Sequence, residues 1–176
     1  MKLNKLAMAL GFGLVMAAGA ANAAPDQGHG TVTIKGSIID APCSITPETV
    51  DQTVNLGQVS NKVLLNGGKS SPQDFRIELE NCDLTTGNDT VDITFTGASS
   101  TGNPELIGMT GSAKGASIAL TDGSGDVIKL GTPKTLTIAN GNNVLGFSAY
   151  LQGDGASATI VPGEFTSIIN FNLDYQ

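Results

Sequence analysis

The sequence predicts an all-β fold, an antiparallel sandwich, on three observations. Apolar residues recur with period two, turn-forming clusters part those runs about every 8 to 12 residues, and the composition disfavours helix. The chain has 176 residues with 23 glycines and no tryptophan, and its abundant Thr, Ser, Asn and Val suit strands and tight turns. That length accommodates one domain with one core.

The first segment reads as an address rather than as part of the fold. Met1 to Lys5 carries two lysines, Leu6 to Ala20 is uncharged and apolar, and Ala21-Asn22-Ala23 is the small-x-small pattern of a cleavage site. The apolar run is about 15 residues where about 20 are needed to span a bilayer, so a signal peptide over 1–23 and an exported, soluble remainder are expected. Cleavage after Ala23 leaves 153 residues and, with Lys2 and Lys5 gone from a net charge of −7, a charge of −9. Nine scattered basic residues against sixteen acidic ones cannot build the basic face that nucleic acid requires.

The strands follow in order. In Thr31 to Ile38, Val32, Ile34, Gly36 and Ile38 fall on one side and Thr31, Thr33, Lys35 and Ser37 on the other. Phe75, Ile77 and Leu79 alternate with Arg76, Glu78 and Glu80, and Val91, Ile93 and Phe95 with Asp92, Thr94 and Thr96. Apolar runs at Ala116 to Leu120, Val127 to Leu130, Leu136 to Ala139 and Val144 to Leu151 are parted by Asp122-Gly123-Ser124-Gly125, Thr132-Pro133 and Asn140-Gly141. Ser60 to Leu65 reads as a helical turn that Asn66-Gly67-Gly68 ends. From Gly163 to Gln176, Phe165, Ser167, Ile169, Phe171, Leu173 and Tyr175 share one face, opposite Thr166, Ile168, Asn170, Asn172, Asp174 and Gln176. A long apolar strand with an uncovered edge is an aggregation hazard unless another strand is supplied.

Export gives the two cysteines a meaning. An oxidising compartment is expected to join Cys43 to Cys82, closing a loop of about 40 residues worth roughly 4 kcal/mol in the chain-entropy model. With one histidine and no third thiol, a tetrahedral metal site lacks ligands.

Chemistry of other kinds is sparse. His29, the one histidine, is read as a solvated residue of the leading segment rather than the base of a catalytic triad. Gly67-Gly68-Lys69-Ser70 ends like a phosphate loop but has Val63 where that pattern needs glycine. Asp122 to Asp126 opens like a calcium loop, yet Val127 and Pro133 stand at its glycine and glutamate positions. Glu78 and Glu80 read as a solvated strand face. No enzyme activity, cofactor or metal is expected.

Several stretches together resemble one family. Gly28-His29-Gly30 through Ser44-Ile45, Phe75 to Cys82, Phe147 to Leu151 and Val161-Pro162-Gly163 through Tyr175-Gln176 are similar to the pilin subunits assembled by the chaperone-usher pathway, above all the major subunits of P-like and mannose-resistant fimbriae. Gly163, fourteenth from the end, and the penultimate Tyr175 match the family's C-terminal pattern.

The resemblance implies an incomplete immunoglobulin-like antiparallel sandwich that lacks its last strand. It implies a division into a signal peptide (1–23), an N-terminal donor-strand extension (24–39) and a pilin domain (40–176). A periplasmic chaperone would fill the groove beside the last strand until, at the outer-membrane usher, the extension of an identical subunit replaced it. Val32, Ile34 and Ile38 are then the anchors, with Gly36 where the groove is too shallow for a side chain. Gly163, Phe165, Ile169, Phe171, Leu173 and Tyr175 form the acceptor groove and chaperone-binding strand. The product is a head-to-tail polymer, a surface fimbria reached through the periplasm that supports cell adhesion and touches host-cell receptors through the fibre.

The pattern alone leaves other readings open. Val32 to Ile38 equally fits the first strand of a closed domain, Tyr175 a rim aromatic, and Gly163 a turn after Pro162. The rival function is a monomeric exported carbohydrate-binding β-sandwich, which needs exposed aromatics for sugar stacking, and the chain holds only two tyrosines and six phenylalanines. A minor fimbrial subunit is the other alternative.

Overall fold

The computed structural model describes residues 28–85, 87 and 89–176. The signal peptide expected over 1–23, and the extension before residue 28, lie outside the described residues. The chain divides into two compact units, Met1–Ile38 and Ile39–Gln176.

In the first unit the described residues, 28–38, form neither helix nor strand. Val32, Ile34 and Ile38 are 86%, 91% and 104% exposed. The strand predicted from Thr31 to Ile38 is therefore not formed: alternation supplies the side chains, but a strand also needs a neighbour for its N–H and C=O groups.

The second unit is the sandwich. Its elements are β1 (Ser44–Ile45), the one-turn helix α1 (Pro47–Val50), β2 (Gln73–Cys82), β3 (Thr90–Gly97), β4 (Thr110–Gly111), β5 (Ala116–Asp122), β6 (Val127–Ile128), β7 (Lys134–Thr137), β8 (Gly141–Gly153), β9 (Phe165–Thr166) and β10 (Ile169–Tyr175). One sheet has the order β1-β2-β8-β5-β6, a second β10-β3-β7, and β4 pairs with β9. Every pairing is antiparallel. The first sheet follows the A-B-E-D order of an immunoglobulin sandwich, and in the second β10 stands as strand F beside β3 as strand C. An immunoglobulin fold places its seventh strand, G, on the far side of F. Among the described residues no strand lies there, so the sandwich is incomplete.

The sheets meet over a core whose centre is aromatic. Phe95 of β3 packs edge-on to Phe147 of β8 at 5.3 Å and to Phe75 of β2 at 6.4 Å, the geometry that ring quadrupoles favour. Phe75, Ile77 and Leu79 face inward on β2, and by period two Asn81 would follow them. A register shift between Leu79 and Cys82, with Asn81 at φ 54°, inserts a residue and turns Cys82 inward instead. There it forms the disulfide with Cys43 that the cysteine count predicts. The link ties the start of the domain to the end of β2.

Two local readings need correction. The helical turn predicted at Ser60 to Leu65 is present as turns, Val63 N–H donating to the Ser60 carbonyl at 3.1 Å, but the 3-10 helix itself spans Leu65–Gly67. Asn66 tolerates the left-handed conformation it needs there (φ 57°), so the Asn-Gly pair lies inside the turn rather than after it. Helix α1 went unread, because one turn is too short for a periodic signal; Pro47 at its start is its one cue.

The β5–β6 hairpin is held by a charge. Asp122, at its first corner, accepts from the Ser124 and Asp126 amides at 2.9 and 3.0 Å and pairs with Lys134 of β7. The Lys134 hydrogen bond, reinforced by the two amides, holds the Asp122 carboxyl below its ordinary value, while Asp122 raises Lys134. A depressed carboxyl stabilises the fold above its unfolded pKa, and that contribution is lost as pH falls towards the folded value. Asp122→Asn is accordingly expected to lower the thermal midpoint by a few degrees near neutral pH, the gap closing below about pH 4. An equal deficit at both pH values would show that the charge is irrelevant.

Candidate functional site

The final strand does not bury its apolar face. Ile169, Phe171, Leu173 and Tyr175 alternate with exposed Asn170, Asn172 and Asp174, as the sequence predicts, yet all four are only half-buried. Their partners on β3 are Gly97, Phe95, Ile93 and Val91, and the last three are at most 1% exposed. Two adjacent strands share one face, and only the outer one is left partly wet. Partial burial raises the Tyr175 phenol above its ordinary value.

The backbone shows the same asymmetry. Thr90 and Gln176 exchange both hydrogen bonds, at 3.0 and 3.3 Å. In an antiparallel ladder such pairs recur at every second residue, so Asp174, Asn172 and Asn170 also bond towards β3. The N–H and C=O groups of Ile169, Phe171, Leu173 and Tyr175 therefore point to the free edge. The same four residues carry both the half-covered side chains and the unfilled backbone bonds.

A second stretch has this character, and the sequence reading passed over it. Residues 52–59, which follow α1, form neither helix nor strand, and Val54, Leu56 and Val59 are half-buried against the core. Among the described residues, 52–59 make no backbone-to-backbone hydrogen bond; Gly57 N–H is met by the Asn55 side chain at 2.8 Å. Three apolar residues with unequal spacing among polar ones gave too weak a pattern, although Val54-x-Leu56 is a short period-two signal.

The other residues of the expected groove sit elsewhere. Phe165 lies in β9, paired with Gly111 of β4. Gly163 precedes it, where a Cβ would come within 2.4 Å of Ser112 Oγ and 2.7 Å of Ala113 N, so glycine is needed for that close approach. The Glu164 carbonyl accepts from Ser112 N at 3.0 Å, which fixes where the C-terminal segment starts. Gly163 and Phe165 thus hold the approach to β10, and Ile169, Phe171, Leu173 and Tyr175 form its edge. Val32, Ile34, Gly36 and Ile38 lie together on the exposed segment of the first unit.

Among the described residues no cluster of three or more His, Cys, Asp or Glu suits a metal. The buried Ser117 hydroxyl bonds to Ser100 at 2.7 Å and donates to Asp154, a satisfied polar network with no imidazole in it.

A family model described as fimbrial protein matches residues 32–176. The chain is 58% identical to the fimbria A protein of Serratia marcescens and 56% identical to the major MR/P fimbria protein of Proteus mirabilis (strain HI4320), in each case over all of both chains. Its fold superposes on a subunit in the structure of a chaperone-usher pilus with a TM-score of 0.75 and 36% identity, covering 85% of this chain and 97% of that one. With the family model matching residues 32–176 and relatives aligned from end to end, the chain belongs to the fimbrial protein family, as a structural pilus subunit of the chaperone-usher type.

Proposed function

We propose that the subunit polymerises head to tail by strand donation, the exposed segment of one copy completing the sandwich of the next along β10. The observation that carries this reading is the coincidence on Ile169, Phe171, Leu173 and Tyr175 of half-covered side chains with unfilled backbone groups. An added strand answers both at once: its amides and carbonyls fill the edge, and its alternate side chains fill the gaps above the core. Val32, Ile34 and Ile38 are the inserting residues, and at about 1.5 to 3 kcal/mol each they supply roughly 5 to 9 kcal/mol before any backbone bond is counted.

Gly36 supports the same reading. It has no positive φ, and among the described residues nothing beyond its chain neighbours lies within 4 Å of where its Cβ would be. The free subunit therefore does not call for glycine there, and a shallow point of the groove into which the segment docks would.

Such a contact uses two different surfaces and does not close on itself, so it yields a filament. Before assembly the edge must be covered, and a periplasmic chaperone supplying a strand fills that role until exchange at the outer-membrane usher. The protein is thus a shaft subunit of a surface fimbria, with no catalysis of its own, and adhesion to host cells belongs to the assembled fibre. Electron microscopy of cells with and without the chain, paired with a gel of unheated protein, tests this. Loss of fibres with the chain, and a ladder of joined subunits that collapses on heating, are expected. A single monomer band from intact fibres would overturn it.

A further inference from the structure

Strand polarity and side-chain parity together place one charge of the donated segment. An immunoglobulin sandwich runs its seventh strand antiparallel to the sixth, so a segment replacing it runs antiparallel to β10. Inward residues of the two strands then face each other directly. In only one register do all four inward positions of the segment meet all four of the edge: Val32 opposite Tyr175, Ile34 opposite Leu173, Gly36 opposite Phe171 and Ile38 opposite Ile169. Shifting by two residues in either direction carries Val32 or Ile38 past an end of β10. The chosen register also sets the bare glycine against the largest apolar ring of the edge, which covers it.

The outward positions follow. Thr33 falls opposite Asp174, and Lys35, the one charged residue between Thr31 and Ile38, opposite Asn172. Asp174 is then one diagonal step from Lys35, a separation of about 7–8 Å that a long side chain spans. These outward pairs are the non-hydrogen-bonded ones of the new ladder, where side chains approach most closely.

Asp174 sits in an environment that a cation would relieve. It lies directly opposite Asp92 on β3, and like charges in that position repel. Asp92 is partly compensated by Thr135 and by the Gln176 amide at 2.8 Å, whereas Asp174 accepts only from Asn172 Nδ2, at 2.9 Å. Among the described residues neither Asp174 nor Lys35 forms an ion pair.

We infer that Lys35 of the donated segment pairs across the joint with Asp174 of the accepting copy, on the solvent face, and that this charge pair strengthens the joint and makes it sensitive to salt. The inference rests on the strand-donation reading and adds a charged contact to it. The apolar anchors, matched four to four in this register alone, fix the register; the charge pair adds a contact on the solvent face.

The test uses intact fibres and their dissociation rate in denaturant. Lys35→Glu and Asp174→Lys are each expected to speed dissociation about tenfold, by setting like charges together, and the double variant to return to within about twofold of the wild type. A double variant as labile as the singles overturns the pairing. Should Asp174→Lys fail to accumulate, salt provides the second measurement: added sodium chloride should speed dissociation of wild-type fibres and leave Lys35→Gln fibres unchanged. Equal salt dependence of the two overturns the inference. Ile34→Asp separates the levels: if it abolishes fibres while the charge swap shows no coupling, the pairing inference fails alone, and if it leaves fibres normal, strand donation and the inference fail together.

Discussion

On the strand-donation reading, Phe171→Asp is expected to abolish capture of the subunit by a periplasmic chaperone, and so to lower its abundance before assembly. Phe171 lies at the middle of the open edge, half-buried over Phe95, and any strand added to β10 closes over it. A carboxylate there would be shut away from water with no cation beside it, and an uncompensated buried charge costs about 3–5 kcal/mol, which is roughly 10²- to 4 × 10³-fold in the stability of the complex. Tyr175→Asp acts in the same way at the far end, where burial already disfavours charge on the phenol. The matched control is Asn172→Asp, the same charge one residue away on the solvent face. Co-purification of subunit with chaperone measures both. Loss with Phe171→Asp and retention with Asn172→Asp are expected; capture of the Phe171 variant at normal yield would remove β10 from the docking surface.

That pair of variants also marks how far sequence alone reached. Period two assigned every inward and outward residue of β10 correctly, because a strand with one buried face has no other way to arrange Phe171, Leu173 and Tyr175 against Asn172 and Asp174. It did not show that the inward face is only half-covered. Coverage depends on which strands are neighbours, and nothing local in residues 169–175 says that β3 lies on one side and no strand on the other. The same limit hid the break at Ser167–Ile168, which divides a continuous alternating run into β9 and β10 paired to different partners. Thr31–Ile38 shows the converse: a good strand pattern with no strand formed, since hydrogen bonding is a property of pairs. Cys43 and Cys82 were legible because a lone pair of thiols in an exported chain leaves one economical arrangement, whereas the bulge that turns Cys82 inward was not, being a departure from the period that revealed β2.

Ile34→Asp and Gly36→Arg are expected to stop polymerisation while leaving the chaperone complex at normal yield. On the strand-donation reading the two functions are separable because they use different parts of the chain: capture needs only the edge of β10, and growth needs the segment as well. Ile34 loses roughly 1.5–3 kcal/mol of apolar burial and the new carboxylate adds about 3–5 kcal/mol of penalty, together a large share of what the three anchors supply. Gly36→Arg works by volume, since a long side chain must stand where Phe171 covers a glycine. Neither change disturbs the free subunit, for Ile34 is 91% exposed and a Cβ at residue 36 meets nothing within 4 Å. The resulting subunit can still accept a neighbour's segment but cannot donate its own. When co-expressed with wild type it should therefore occupy only the end of a fibre whose segment is unused, and immunogold labelling of a tagged Ile34→Asp chain should mark one terminus and no interior. Label along the whole fibre would mean that subunits are joined through some other surface.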